Sequence, residues 1–208
     1  MIKIYHVPRS RSLRVVWLME ELGEPYELER IAFPFDQAFL AKNPEGSLPF
    51  IEDDGVSMAE SIAILQYITG MRLASRPPGA PSFTVGPRPD PAAYAEHLQL
   101  LHLGEASLAT PLATIFATGR FGPEGDKENF TTKLCADMFV RRLKPVELRL
   151  ADGRTYVTGS EFTIADISVG YALGFAEALG LGDRIPPHSR AYYKRLTERP
   201  AYQRAIAK

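Results

Sequence analysis

Cysteine is nearly missing from this chain. Cys135 is the only one among 208 residues, so no disulfide can form within the chain. With one thiol and four histidines, no Cys/His cluster has the spacing of a zinc site, and no metal is expected. An excess of either charge is missing too. The 24 Lys and Arg face 25 Asp and Glu, a formal net charge of -1. That balance offers no pull toward nucleic acid or an anionic membrane, and neither is expected as a partner. No window of about 18 uninterrupted apolar residues exists, so no membrane-crossing helix is expected. The short apolar start is followed by Arg9, Arg11 and Arg14, whereas a secretory signal places its charges first. These absences point to a reducing cytoplasm and to a small-molecule or protein partner.

What is present is ordinarily globular: 45% hydrophobic and 24% charged residues, enough for a core. Residues 2–7 alternate loosely and read as a strand. Pro8 to Ser12 is a polar turn. Leu13 to Leu22 carries apolar residues at helical spacing and stops at Gly23, a good C-cap. Tyr26 to Ile31 reads as a second strand and Asp36 to Lys42 as a short helix. Phe50 to Glu52, a turn at Asp53-Asp54-Gly55, and Val56 to Ala59 form a hairpin, and Ser61 to Met71 is helical again. The order β-α-β-α-β-β-α fills about 70 residues, and a first domain is assigned to residues 1–74.

Residues 75–90 are dense in Pro and Gly and read as a linker. The second domain, residues 91–208, looks helical nearly throughout. A long helix is expected from about Pro91 to Thr118, with Tyr94, Leu98, Leu101, Leu108, Leu112 and Ile115 in one apolar stripe, Glu105 in the same stripe, and a kink at Pro111. A second covers about Asp126 to Leu150, disturbed at Pro145. Thr163-Ile164-Ala165-Asp166 is a capping-box pattern opening a buried central helix. Two short helices near 189–198 and 200–207 close the chain.

Three short segments could carry chemistry. Pro49 enters a strand directly after Gly46-Ser47-Leu48. It is either a trans proline in a turn or a cis proline that turns the Leu48 backbone outward, free to pair with an extended peptide. Glu60-Ser61 stands where a strand meets a helix. It is either a plain helix cap or a site in which hydroxyl, amides and helix dipole hold a carboxylate while the Glu holds an ammonium. Ser10 and Ser12, in the first turn, either cap the first helix or offer a hydroxyl to a thiolate.

In this order and spacing the chain resembles the cytosolic glutathione S-transferases over essentially its whole length. The matching pieces are Tyr5 with Ser10 to Val15, Asn43-Pro44-Glu45-Gly46-Ser47-Leu48-Pro49, Glu60 to Leu65, Phe162 to Ile167, and Arg199-Pro200-Ala201; the run Leu101 to Leu108 is similar to a bacterial and fungal serine-type subgroup. The resemblance implies an α/β thioredoxin-like N-terminal domain followed by an all-α C-terminal helical domain. It implies a cytoplasmic homodimer, with glutathione as co-substrate. It implies that Pro49 is cis, that Leu48 pairs with the cysteinyl backbone, and that Glu60 and Ser61 hold the γ-glutamyl end. Ser10 matches the hydroxyl that meets the sulfur, with Ser12 and Tyr5 as alternatives. Ser47 stands where the family often has Lys, at the glycyl end.

The activity implied is conjugation of the glutathione thiolate to small hydrophobic electrophiles, in a pocket near Leu98, His102 and Glu105. The other outcomes of the same chemistry are a glutathione-dependent peroxidase, isomerase or ether-cleaving enzyme, or a non-catalytic glutathione-binding scaffold. No Cys stands in the first turn, which disfavours a cysteine-type disulfide mechanism.

Overall fold

The computed structural model describes residues 1–74, 90–123, 125 and 127–208. It falls into two compact units, Met1–Gly86 with Thr197–Lys208, and Pro87–Leu196. The expected linker at 75–90 lies outside the described residues except for Asp90.

The first unit is built on four strands: β1 (Lys3–His6), β2 (Glu27–Arg30), β3 (Phe50–Asp53) and β4 (Val56–Ala59). Their spatial order is β2-β1-β3-β4, with β1 parallel to β2 and β3 antiparallel to both β1 and β4. Ile2 and Ile4 are completely enclosed. Tyr5 faces the other way, as the period of a strand requires, and packs with Phe39 and Phe50. Helix α1 (Ser12–Leu22) is buried from Ser12 to Met19 and ends at Gly23, whose φ of 66° lets its N–H bond back to the Met19 carbonyl. Asp36 caps the short helix α2 (Gln37–Lys42) by accepting from the Phe39 amide at 2.8 Å. Helix α3 (Ser61–Ala74) follows β4.

Helix α9 (Pro200–Ile206) belongs to this unit although it ends the chain. It lies on α1. Tyr202 meets Trp17 edge-on at 4.9 Å, Arg199 grips Glu21 with bonds of 2.6 and 2.7 Å, and Arg204 reaches Glu20 at 2.6 Å.

In the helical unit, α4 (Pro91–His102) is capped by Asp90. The single kinked helix expected from Pro91 to Thr118 is not what forms. Residues Leu103–Ala109 are a π-helical segment, and α5 (Thr110–Phe121) begins after it. Pro111 has no N–H to return to the Ser107 carbonyl. The chain takes in one extra residue before it, and the Thr110 N–H reaches five residues back to the Glu105 carbonyl. The insertion lets α7 (Ile164–Ala178) approach closely. Ser168 Oγ donates to the Leu101 carbonyl at 2.7 Å, and a Cβ on Gly104 would lie 2.3 Å from that Oγ. Glycine is therefore required there. By length and composition alone the run Pro91–Phe121 could cross a membrane, but a core helix passes the same test, and here Leu100, Leu101, Leu108 and Leu112 are completely enclosed.

Helix α6 (Phe130–Leu150) starts behind an Asn129 cap and continues through Pro145; its expected start at Asp126 lies outside the described residues. Helix α8 (Pro187–Thr197) is held at its start by Glu147, which accepts from the His188 and Ser189 amides. The capping box of α7 is formed. Its Asp166 is fully enclosed and accepts from the Val157 amide (3.0 Å), the Thr163 amide (2.8 Å), the Thr163 hydroxyl (3.1 Å) and the Tyr192 hydroxyl (2.8 Å). Burial pushes its pKa up to about 6, against the pull of those donors. A raised carboxyl pKa withdraws stability as pH climbs from about 4 through 6.

Replacing Asp166 by Ala strands several buried donors at about 1–3 kcal/mol each. Asp166→Ala is expected to lower stability by at least about 3 kcal/mol, or roughly 6–12 °C in Tm. A thermal melt within about 2 °C of the parent would show that these bonds do not hold the helical unit together.

Candidate functional site

The register of the sheet gathers the three marked segments. Tyr5 stands opposite Phe50, and Phe50 opposite Ala59. One step beyond that row are the turn after β1, the loop before β3, and the junction of β4 with α3. Residues far apart in sequence thus meet at one end of the sheet, where α1 and α3 both begin.

The turn after β1 is tightly bonded. The Ser10 amide donates to the Val7 carbonyl at 3.1 Å, and the Leu13 amide to the Ser10 carbonyl at 3.0 Å. Arg9 takes φ 65°, a left-handed conformation that costs a side-chain-bearing residue about 1–2 kcal/mol. Neither serine occupies the cap position of α1, which is Arg11 and carries no side-chain cap bond, although Ser10 Oγ accepts from the Ser12 amide at 3.3 Å. Instead the hydroxyls bond to each other, Ser10 Oγ to Ser12 Oγ at 2.7 Å, and Ser12 Oγ lies 2.8 Å from His6 Nδ1. Ser12 and His6 are enclosed, whereas Ser10 is half-buried. Tyr5 is on the opposite face of the sheet. Its hydroxyl donates to Glu52 at 2.6 Å and accepts from Lys42 at 2.8 Å, and burial followed by Glu52 holds its pKa above the ordinary value.

In the loop before β3, the enclosed Asn43 donates to the Ser47 carbonyl at 2.8 Å, and the Gly46 amide to the Asn43 carbonyl at 3.0 Å. Gly46 has φ 62°. The Leu48–Pro49 peptide bond is cis, as the family resemblance implies. Pro49 is buried; Ser47 and Leu48 are half-buried, and the Leu48 side chain packs on the Tyr5 cluster.

At the third segment Glu60 is exposed and adopts φ 69°. Like Arg9 it holds a conformation that the surrounding structure must impose. Ser61 opens α3 and is enclosed, and its Oγ accepts from Arg14 Nη1 at 2.9 Å. Arg14 is itself completely enclosed on α1. Two helix N-termini and a guanidinium therefore bring positive potential to one place, the setting for an anion.

Leu98, His102 and Glu105 belong to the helical unit. Leu98 and His102 are on α4 and Glu105 in the π segment, with His102 exposed and the other two half-buried. Among the described residues no group of three or more His, Cys, Asp or Glu could hold a metal ion. Cys135 is a buried thiol.

His6 and Arg14 are not among the candidate site residues of the sequence, although Arg14 falls in the matching run Ser10 to Val15. His6 follows Tyr5 on a strand, so period two places it on the α1 side. Arg14 is the one charged residue in the apolar stretch Ser12–Met19 of α1. Each signal was there to read.

A thioredoxin-like unit whose sheet end gathers two helix N-termini and Arg14, joined in one chain to a helical unit, defines the class. Residues 1–70 match the glutathione S-transferase N-terminal domain and residues 91–195 the glutathione S-transferase C-terminal domain. Glutathione S-transferase 3 of Schizosaccharomyces pombe is 29% identical over 227 residues, covering 100% of this chain and 88% of the relative. Glutathione S-transferase 2 of Saccharomyces cerevisiae is 32% identical over 178 residues, 81% of this chain and 70% of the relative. A crystal structure of a glutathione transferase from Methylococcus capsulatus superposes with a TM-score of 0.78 at 26% identity, covering 100% of this chain and 98% of that one. The chain belongs to the glutathione S-transferase family.

Burial, and then the charge of Arg30, lower the His6 pKa from 6.5 to about 4. A depressed pKa contributes stability that is present above pH 6.5 and lost as pH falls toward 4. The urea midpoint of the parent is expected to drop across that window more steeply than that of His6→Asn, the opposite contribution of Asp166 being common to both. Parallel curves would mean that the ring titrates normally.

Proposed function

We propose that the protein is a glutathione transferase that joins the glutathione thiolate to small hydrophobic electrophiles, with Ser10 as the hydroxyl that meets the sulfur. The observation that carries this reading is the row Tyr5–Phe50–Ala59, which brings Ser10, Ser47 to Pro49, and Glu60-Ser61 to one end of the sheet. A tripeptide with a thiol in its middle fits that span. The γ-glutamyl carboxylate goes to the start of α3 at Ser61, its ammonium to Glu60, the cysteinyl backbone to Leu48, and the glycyl end toward Ser47.

The choice among first-turn hydroxyls follows from exposure. Ser12 is enclosed and bonded to His6, and the Tyr5 hydroxyl is held by Glu52 and Lys42 on the other face. Ser10 is the half-buried one. This supports the serine-type subgroup. A free cysteine thiol has a pKa of about 8.5, so little is thiolate at neutral pH. Donation from Ser10, with the positive end of α1, favours the ionised sulfur, and the thiol proton leaves to solvent. The thiolate then attacks the electrophilic carbon and displaces its leaving group or opens its ring. Holding both reactants together supplies much of the acceleration.

The electrophile is assigned to Leu98, His102 and Glu105, which follow one another at spacings of four and three along the same side of α4 and its π extension. Segments of this kind recur at functional sites. We read the protein as a cytoplasmic homodimer, on the balanced charge, the single buried thiol and the family.

Ser10→Ala is expected to raise the pKa of the bound thiol, followed by thiolate absorbance against pH; an unchanged titration removes Ser10 from this role. Glu60→Ala is expected to weaken glutathione binding about ten- to a hundredfold, the worth of a charge-assisted bond of about 1.5–3 kcal/mol. Equal affinity by calorimetry would place the ammonium elsewhere.

A further inference from the structure

Behind Ser10 lies a hydrogen-bond chain with two possible directions. Ser10 Oγ is 2.7 Å from Ser12 Oγ, Ser12 Oγ is 2.8 Å from His6 Nδ1, and the Ser12 amide donates to Ser10 Oγ at 3.3 Å. A hydroxyl has one proton to give and two lone pairs to fill, and a neutral imidazole has one donor and one acceptor nitrogen. If Nδ1 is the acceptor, Ser12 gives its proton to His6. Its oxygen is then the acceptor facing Ser10, whose proton turns inward, and a thiolate would meet lone pairs.

If Nδ1 carries the proton, His6 donates to Ser12, and the Ser12 proton has two acceptors in reach, Ser10 Oγ at 2.7 Å and the Val7 carbonyl at 3.4 Å. The shorter bond is the one to Ser10, and with it every bond of the chain runs the other way. The second lone pair of Ser10 takes the Ser12 amide. With both lone pairs filled, Ser10 can only donate, and its proton is free for the sulfur. Bonds aligned in one direction also polarise one another.

We propose that His6 and Ser12 are positioning residues for the reaction: the Nδ1–H tautomer of His6, acting through Ser12, turns the Ser10 hydroxyl proton toward the glutathione sulfur. The proposal rests on the reading of Ser10 given above. No proton changes owner along the chain. The Ser10 proton stays on Ser10, and the thiol proton goes to solvent. Burial and the neighbouring Arg30, the β2 residue paired with His6, keep the ring neutral at physiological pH, so tautomer rather than charge sets the direction.

Two measurements test this. In the glutathione complex of the nitrogen-15-labelled protein, two-bond correlations of the His6 ring identify which nitrogen is protonated. Protonated Nδ1 is expected, and bare Nδ1 overturns the proposal. Second, Ser12→Ala and His6→Phe are expected to raise the pKa of bound glutathione by about one unit, a roughly tenfold loss of thiolate below that pKa. kcat should fall while the dissociation constant for glutathione stays within about twofold. His6→Asn, which keeps a short side-chain N–H donor, should restore the parent titration.

If Ser10→Ala shifts the thiol titration and Ser12→Ala does not, the positioning chain is wrong and the Ser10 reading stands. If Ser10→Ala shifts nothing, both fall. Should His6→Phe fail to fold, Ser12→Ala and the tautomer measurement still decide.

Discussion

Helix α1 is enclosed on all sides from Ser12 to Met19, and most of the site follows from that constraint. A helix buried all round is ordinarily apolar all round. This one carries a hydroxyl and a guanidinium among its enclosed residues, and buried polar groups must find partners within the protein. Ser12 finds His6 at the end of β1, and Arg14 finds Ser61 at the start of α3. A buried charge left unanswered costs several kcal/mol. The bonds that allow α1 to be packed are thus the same bonds that fix the end of the central strand, the first turn and the start of α3 relative to one another. The site needs no separate scaffold.

The electrostatics of that corner are local. The chain is nearly neutral overall, yet two helix starts and Arg14 meet at one sheet end. Field from a helix terminus fades beyond its first turn, so this potential acts on a ligand already seated and contributes little to long-range attraction. Exposed Glu60, in its left-handed conformation, adds one negative charge at the rim. Positive and negative groups side by side suit a zwitterionic head group better than a simple anion.

Much of this was legible in the sequence because local chemistry sets it. Gly23 stops α1, Asp53 to Gly55 turn the hairpin, and Thr163 with Asp166 opens α7, each through bonds to near neighbours in the chain. The sheet order, and with it the gathering of Ser10, Pro49 and Glu60, was legible only through the family resemblance, since register depends on pairing between distant strands. The π segment was not legible. Pro111 announces a missing donor, but whether the chain bends or takes in a residue goes with the packing of α7, which lies far away in the sequence, through Ser168 and Gly104. The attachment of α9 to α1 escaped for the same reason. Arg199 and Glu21 are 178 residues apart, and nothing in either neighbourhood names the other.

That attachment bears on how the first unit is kept whole. Its sheet and first three helices come from residues 3–74, yet the cover over Trp17 is Tyr202. A cut anywhere in the chain between α3 and α9 would leave the thioredoxin-like unit made of two pieces, joined by packing of Trp17 on Tyr202 and by the Arg199–Glu21 and Arg204–Glu20 bonds. The helical unit is drawn from one continuous stretch, Pro87 to Leu196, and carries no such seam.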